Sequence, residues 1–321
     1  MRTARYALCT AFLAATAMVP AAAGAAGTSP HVVTTIPVCF HPIGVAVNPV
    51  TDMIYVPCGG DGSVSVIDGK TGTVTATLNL GSSSWQAAVN PNTDLVYVSN
   101  SGGRSVVVIN GQTNEVIATI PLPFAPAGIA VNPLTKKVYV GRFRGHDVTV
   151  INATTDKIVA TIPVAYDPLD VAVNPVTNTA YATGLTAVSV INGMTNKVIA
   201  SIGVRGLGIT LDPNTNIIYD VTASSSPSAP GPVAVINGTT NMVTANFTVR
   251  TPSGIAEDLH TDTIYVDSFW HAQLVVVDGT TNTVTATVHV GSLPSNVAVD
   301  PATGLVYVTN QGDSTVSVVG P

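Results

Sequence analysis

This 321-residue sequence predicts an all-β chain folded into a seven-bladed β-propeller, and three observations carry that expectation. Tyrosine recurs in near-identical contexts at Tyr55, Tyr97, Tyr139, Tyr181, Tyr219, Tyr265 and Tyr307, in steps of 42, 42, 42, 38, 46 and 42 residues. The short and long steps together equal two regular ones, so one deletion and one insertion account for them. Each interval holds short runs of Val, Ile, Thr and Tyr punctuated by Asn-Pro, Asp-Gly or Asn-Gly, the pattern of strands and tight turns. A repeat of roughly 40–45 residues made of several short strands is the mark of a propeller blade. The two ends of the repeat array also complement each other, as an open ring requires.

The first full unit shows the elements in order. Gly44–Pro49 reads as a strand ended by a turn, and Met53–Val56 as a second strand. Ser63–Ile67 is a third, ended by Asp68-Gly69, and Thr73–Leu78 a fourth. No segment carries a helical period. The last unit runs only to its third strand, Ser314–Val319, whereas His31–Val38 matches fourth strands such as Glu115–Pro121. Val32–Val38 is therefore expected to pair with Thr315–Val319, closing the ring and removing an open sheet edge. The propeller domain is read as residues 31–321. The low-complexity run Ser224–Pro232 marks the insertion and reads as a tolerated loop or a flap over one face.

Composition narrows the class. Hydrophobic residues make up 46% of the chain and charged ones 9%, enough apolar surface to bury a large core. Residues 1–26 read as a signal peptide: Arg2 and Arg5 precede the apolar run Tyr6–Val19, with small residues for cleavage after about Ala23 or Ala26. The formal charge is −6, and loss of Arg2 and Arg5 takes it to about −8. That balance argues against nucleic acid as a partner. No later run is long enough to span a membrane. The expected protein is exported, to the extracellular space, the periplasm or the cell surface, as a monomer. Cys9 leaves with the leader, and the remaining pair, Cys39 and Cys58, reads as a disulfide in an oxidising compartment. A metal site of Cys39, His41 and Cys58 is the rival reading, and it lacks a fourth ligand.

The second strands include Val96-Tyr97-Val98-Ser99-Asn100 and Val306-Tyr307-Val308-Thr309-Asn310, preceded by Ala-Val-Asn-Pro and followed by Val-Ile-Asn-Gly motifs. Over essentially all of the mature chain this resembles the YVTN-repeat β-propeller family. The resemblance implies an exported or surface protein, with lactonases and streptogramin lyases as related seven-bladed propellers. The repeat motif is structural and transfers no catalytic residue.

Two faces are distinguishable. Loops after second and fourth strands open on one face, the top, and turns after first and third strands on the other. The bottom turns are monotonous, while the top loops differ in every blade. Arg104, Arg142, Arg144, Arg205 and Arg250 fall in or beside top loops, and Lys70, Lys136, Lys137, Lys157 and Lys197 in bottom turns. Arginine offers a planar fork for carboxylate or phosphate, so a varied top face carrying arginine and aromatics reads as a binding surface. The bland reading is that the arginines pair with nearby acids such as Asp61 and Asp147. Gln86, Asp170 and Asn296 replace the glycine found at Gly44, Gly128, Gly208 and Gly254, where first strands begin nearest the channel. Arg104, Arg142, Arg144, Gln86, Asp170, Asn296, Trp270 and His271 are the expected ligand-binding residues. The expected partner is a small polar or anionic ligand, or another extracellular protein.

Two carboxylates break the apolar register. Glu257 stands where the other first strands carry Val or Leu, and Asp220 follows its tyrosine where other blades have Val or Ala. A buried carboxylate is costly unless paired or protonated, which makes such positions candidates for chemistry. The bland reading pairs Asp220 with Arg205 or Arg250. Blade six departs further, with Asp267, Phe269, Trp270 and His271 assigned to its top loop. No H-E-x-x-H, G-x-S-x-G or phosphate-loop motif is present. The sequence therefore favours a binding or scaffold protein without a cofactor. The alternative is a lactone hydrolase or lyase using Glu257, Asp220 or His271 at the top of the channel, with a divalent metal.

Overall fold

The computed structural model describes residues 29–222 and 229–321. The expected leader lies outside them, as do residues 224–228 of the expected flap. Seven four-stranded antiparallel sheets form the described part of the molecule, six of them running in chain order from the channel outward. Blade two is typical: Ser84–Asn90, Leu95–Asn100, Ser105–Asn110 and Glu115–Pro121. Blade seven closes as expected. Its outer strand is His31–Pro37, paired antiparallel with Thr315–Gly320 through Val32 against Val319 and Ile36 against Val316.

The burial of each strand follows its place in the blade. Second and third strands are packed on both faces by neighbouring blades, so they read as continuous Val/Ile runs and are almost wholly buried. Outer strands face solvent and alternate with Thr and Lys. Most outer strands carry a bulge; in blade three Val150 pairs with Ala160 and Ile151 with Ile158, leaving Val159 unpaired. Such bulges blunt the exposed edge against further strand addition. The core is distributed between blades: Tyr139, Val148 and Val150 of blade three pack with Val171, Ala180 and Ala182 of blade four.

The repeat tyrosines mark a latch between blades. The bottom turn of each blade places one residue in the left-handed conformation, which Asp and Asn accept most readily after glycine. Asp94, Asn178 and Asn216 have φ of 54°, 53° and 57°. They take hydrogen bonds from the preceding blade: Asn48 Nδ2 donates to Asp94 Oδ1 at 2.7 Å, Asn132 Nδ2 to Asn178 Oδ1 at 3.1 Å, and Asn174 Nδ2 to Asn216 Oδ1 at 2.9 Å. The Tyr181 hydroxyl reaches Asn216 Oδ1 as well, at 3.4 Å.

Cys39 and Cys58 are joined, with Cα atoms 5.9 Å apart. The bond ties the segment after the closing strand to the second strand of blade one. The rival metal reading of Cys39, His41 and Cys58 therefore falls, since both sulfurs are consumed by the disulfide. Asp61, beside the pair, instead accepts the Phe40 N–H at 3.0 Å and the Ser63 hydroxyl at 2.7 Å.

Candidate functional site at the top of the central channel

First strands line the channel, and their opening residues bulge toward it. In blade four Pro168 pairs with Gly184 and Asp170 with Thr183, so one residue between them is unmatched. Blades two and seven do the same around Gln86 and Asn296. Glycine in a neighbouring blade makes room: a Cβ on Gly128 would run into the Asp170 Cα and stand 2.7 Å from the Leu169 carbonyl oxygen. The three polar replacements therefore project into the channel, and together they line one cavity of about 360 Å³. Trp85, Ser253 and Ser295 join them, over aliphatic residues including Ile129, Leu169 and Leu207.

Side chains two positions after the repeat tyrosine hold these bulges. Ser99 Oγ accepts the Gln86 N–H at 2.9 Å. Asp267 accepts the Gly254 N–H at 2.9 Å and the Ser253 hydroxyl at 2.5 Å. Thr309 Oγ1 stands 3.3 Å from the Asn296 carbonyl oxygen. Asp170 crosses a blade boundary, accepting the Val171 N–H at 2.9 Å and the Ile209 N–H of blade five at 3.2 Å. Burial pushes the Asp170 carboxyl up to about 7 against the lowering effect of those two bonds. Burial likewise pushes Asp267 up to about 7, while its Ser253 and backbone bonds pull it down. Asp267 is fully buried in the strand Thr263–Ser268, which corrects its assignment to a top loop.

The remaining expected residues lie elsewhere. Arg104, Arg142 and Arg144 are exposed and do not line the cavity. Arg142 pairs with Asp147 at 3.1 Å and sits 5.3 Å from the Phe124 ring centre, which is the bland reading for that residue. Arg144 sits 5.1 Å from the ring centre of Phe143, which in turn packs on Trp85 at 5.3 Å. Arg144 thus backs Trp85, the aromatic wall of the cavity, through Phe143. Trp270 is 59% exposed, in a single 3₁₀ turn, Phe269–His271. His271 Nδ1 lies 3.2 Å from both Thr251 Oγ1 and Ser268 Oγ.

Glu257, Asp220 and His271 do not converge. Glu257 sits one residue before the bottom turn, where burial, Asp212, Asp262 and Asp258 push its carboxyl up to about 8. Asp220 is fully buried in blade five, against Thr183 of blade four and Gly206. Among the described residues neither of its oxygens has a well-aligned hydrogen bond, the Thr183 hydroxyl being its polar neighbour, and no arginine reaches it. Arg205 instead donates to the Leu185 carbonyl at 2.9 Å. Burial, with Asp170 adding to it, pushes Asp220 up to about 7 against the opposing effect of Thr183.

Ser253, Ser295 and the Ser253–Asp267 contact were not singled out from the sequence. A signal existed: the position two after the tyrosine reads Ser99, Thr183, Asp267 and Thr309, a series of small polar groups in an otherwise apolar strand.

No protein-family profile matches the chain, and no curated protein matches its sequence. Among solved structures it is similar to a chain of the hydrazine synthase of Kuenenia stuttgartiensis. The two share 20% identity over 87% of this chain and 95% of that one, with a TM-score of 0.78. At that identity the likeness shows the fold alone.

Proposed function

We propose that this chain is an exported binding protein that takes a small polar molecule at the top mouth of its central channel. The convergence of Gln86, Asp170 and Asn296 on one cavity carries the reading. Its volume of about 360 Å³ suits a ligand of sugar size, and binding cavities combine an apolar wall with a few convergent polar groups in this way. Trp85 supplies a flat apolar face, and Gln86 and Asn296 supply paired donors and acceptors. Among the described residues Asp170 is the one ionisable residue on the lining, so a hydroxyl-rich neutral ligand suits the channel better than the anionic one expected from the arginines. Those arginines fit an anionic partner surface on the top face instead. The disulfide supports an oxidising compartment. Tyr307–Asn310 and its repeats support membership of the YVTN-repeat propellers.

The enzyme reading keeps one point in its favour: burial pushes the Asp170 and Asp267 carboxyls up to about 7, the range suited to proton transfer. Both already serve as acceptors for backbone N–H groups, which favours binding over catalysis.

Calorimetry with a panel of methyl glycosides, polyols and hydroxy acids tests the proposal. Gln86→Ala and Asn296→Ala are expected to weaken the best ligand tenfold or more, with Lys136→Ala on the bottom face unchanged. Loss in Lys136→Ala alone would reverse the assignment. Turnover of lactones by the same preparation, abolished in Asp170→Asn, would replace the binding reading with the enzymatic one.

A further inference from the structure

Six of the seven repeat tyrosines are buried to between 0 and 3% exposure, and Tyr265 alone is partly exposed. The cause lies in the next blade. Four of them face the left-handed turn of the next blade: Tyr55 lies near Asp94, Tyr181 bonds Asn216, Tyr219 lies near Asp262 and Tyr307 near Asp52, while Tyr97 donates to the Ala153 carbonyl in the neighbouring bottom turn at 3.4 Å. At the six–seven seam that position is Gly304, with φ of 72° and nothing within 4 Å of where a Cβ would stand. The latch is missing there. The Asn-Gly or Asp-Gly turn that backs it in most other blades is missing as well, because blade seven draws its third and fourth strands from opposite ends of the sequence. Pro30, Gly320 and Pro321 flank the space instead, and a cavity of about 450 Å³ remains.

The walls of this cavity are chemically one-sided. Tyr265, Val276, Val306 and Val319 supply an apolar wall, and Asp258 and Asp278 line it together with the hydroxyls of Thr261, Thr263, Thr285 and Thr303. Among the described residues no lysine or arginine lines it. The Asp278 carboxylate accepts one backbone bond, from Thr281 at 2.8 Å, and keeps further acceptor capacity. Asp258 accepts the His260 N–H at 2.9 Å and the Thr261 hydroxyl at 2.8 Å, with His260 Nδ1 at 3.7 Å on the exposed side.

We propose that this seam is a second binding site, for a small organic ammonium ion with an aromatic body. The ring enters the slot beside Tyr265 and the valines, and the ammonium group turns to Asp278 and Asp258. An anion of the same shape is repelled by both carboxylates, and a neutral isostere lacks the charge-assisted bond. The site is separate from the channel mouth, at the opposite end of the strands.

The probe is 2-phenylethylammonium, compared with 2-phenylethanol and phenylacetate on the full chain at pH 7, by calorimetry and ligand-observed NMR. Saturable one-to-one binding of the ammonium ion, at least tenfold tighter than either comparator, is expected. Gly304→Asn places the missing latch side chain in the slot and is expected to weaken binding tenfold or more while melting no lower than the wild type. Asp278→Asn, which alters no backbone, is expected to weaken it similarly. Gln86→Ala in the channel is expected to leave it unchanged. No saturable binding, equal binding of 2-phenylethanol, unchanged affinity in both seam variants, or loss in Gln86→Ala would each overturn the proposal.

Discussion

Replacing Asp220 with asparagine is expected to stabilise the fold at pH 8 and to change it little at pH 4. The carboxyl is fully buried, and among the described residues its two oxygens have no well-aligned hydrogen bond, with Thr183 as their polar neighbour. Burial and the nearby Asp170 raise it from 3.8 to about 7. The sign follows from proton counting. Between pH 4 and pH 7 the folded chain keeps a proton that the unfolded chain has released, so stability falls as pH rises through that window and levels off above it. Each unit of displacement is worth ~1.4 kcal/mol, so the full penalty at pH 8 is on the order of 4 kcal/mol, and local relaxation lowers it to ~2–4. Asparagine has nearly the same shape, carries no charge to desolvate, and can donate to Thr183 Oγ1, which is itself without a partner. Urea unfolding followed by circular dichroism at pH 4, 5, 6, 7 and 8 measures the difference between variant and wild type. Asp170, Asp267 and Glu257 bend the wild-type curve in the same direction, so only the difference is diagnostic. A difference that stays flat from pH 4 to pH 8 would refute the reasoning.

Two further outcomes test the ring. Replacing Cys39 and Cys58 together by serine removes a bridge spanning 19 residues of sequence and is expected to cost roughly 3 kcal/mol without changing the fold, read by the same unfolding assay; an unchanged midpoint would show that closure needs no covalent tie. Gly128→Ala drives a methyl into the backbone of the next blade at Leu169 and Asp170, which cannot swing aside, and is expected to cost ~1–3 kcal/mol or more. Gly203→Ala, with open space around it, is expected to stay within ~0.5 kcal/mol.

Blade number and ring closure were legible because each is a statement about repetition or its interruption, and the disulfide because two cysteines remain for an oxidising compartment. Seven tyrosines count seven blades, and an unmatched third strand at one end calls for a fourth strand from the other. Gln86, Asp170 and Asn296 were legible for the same reason, as polar breaks in a glycine register that faces the channel. Reading a break in register identifies the residue without identifying its neighbour. Asp220 and Glu257 both broke the pattern, yet one lies in a seam against Thr183 and the other above a bottom turn beside Asp262. Arg142 carried the right chemistry for a ligand, but Asp147, five residues on in its own loop, already holds it.

The six–seven seam shows why such neighbours escape a linear reading. The latch positions run Asp52, Asp94, Lys136, Asn178, Asn216, Asp262 and Gly304. A glycine in a turn satisfies its own backbone better than any residue before it in that series, so nothing local marks it as a loss. The effect falls on Tyr265, 39 residues earlier and in another blade, and its partial exposure is visible only once the two blades are side by side. In a propeller each blade buries its neighbour's side chains, so a substitution is felt one repeat away from where it is made. Gly304 stands at the latch position opposite Tyr265, and the side chain it lacks leaves the seam between blades six and seven open.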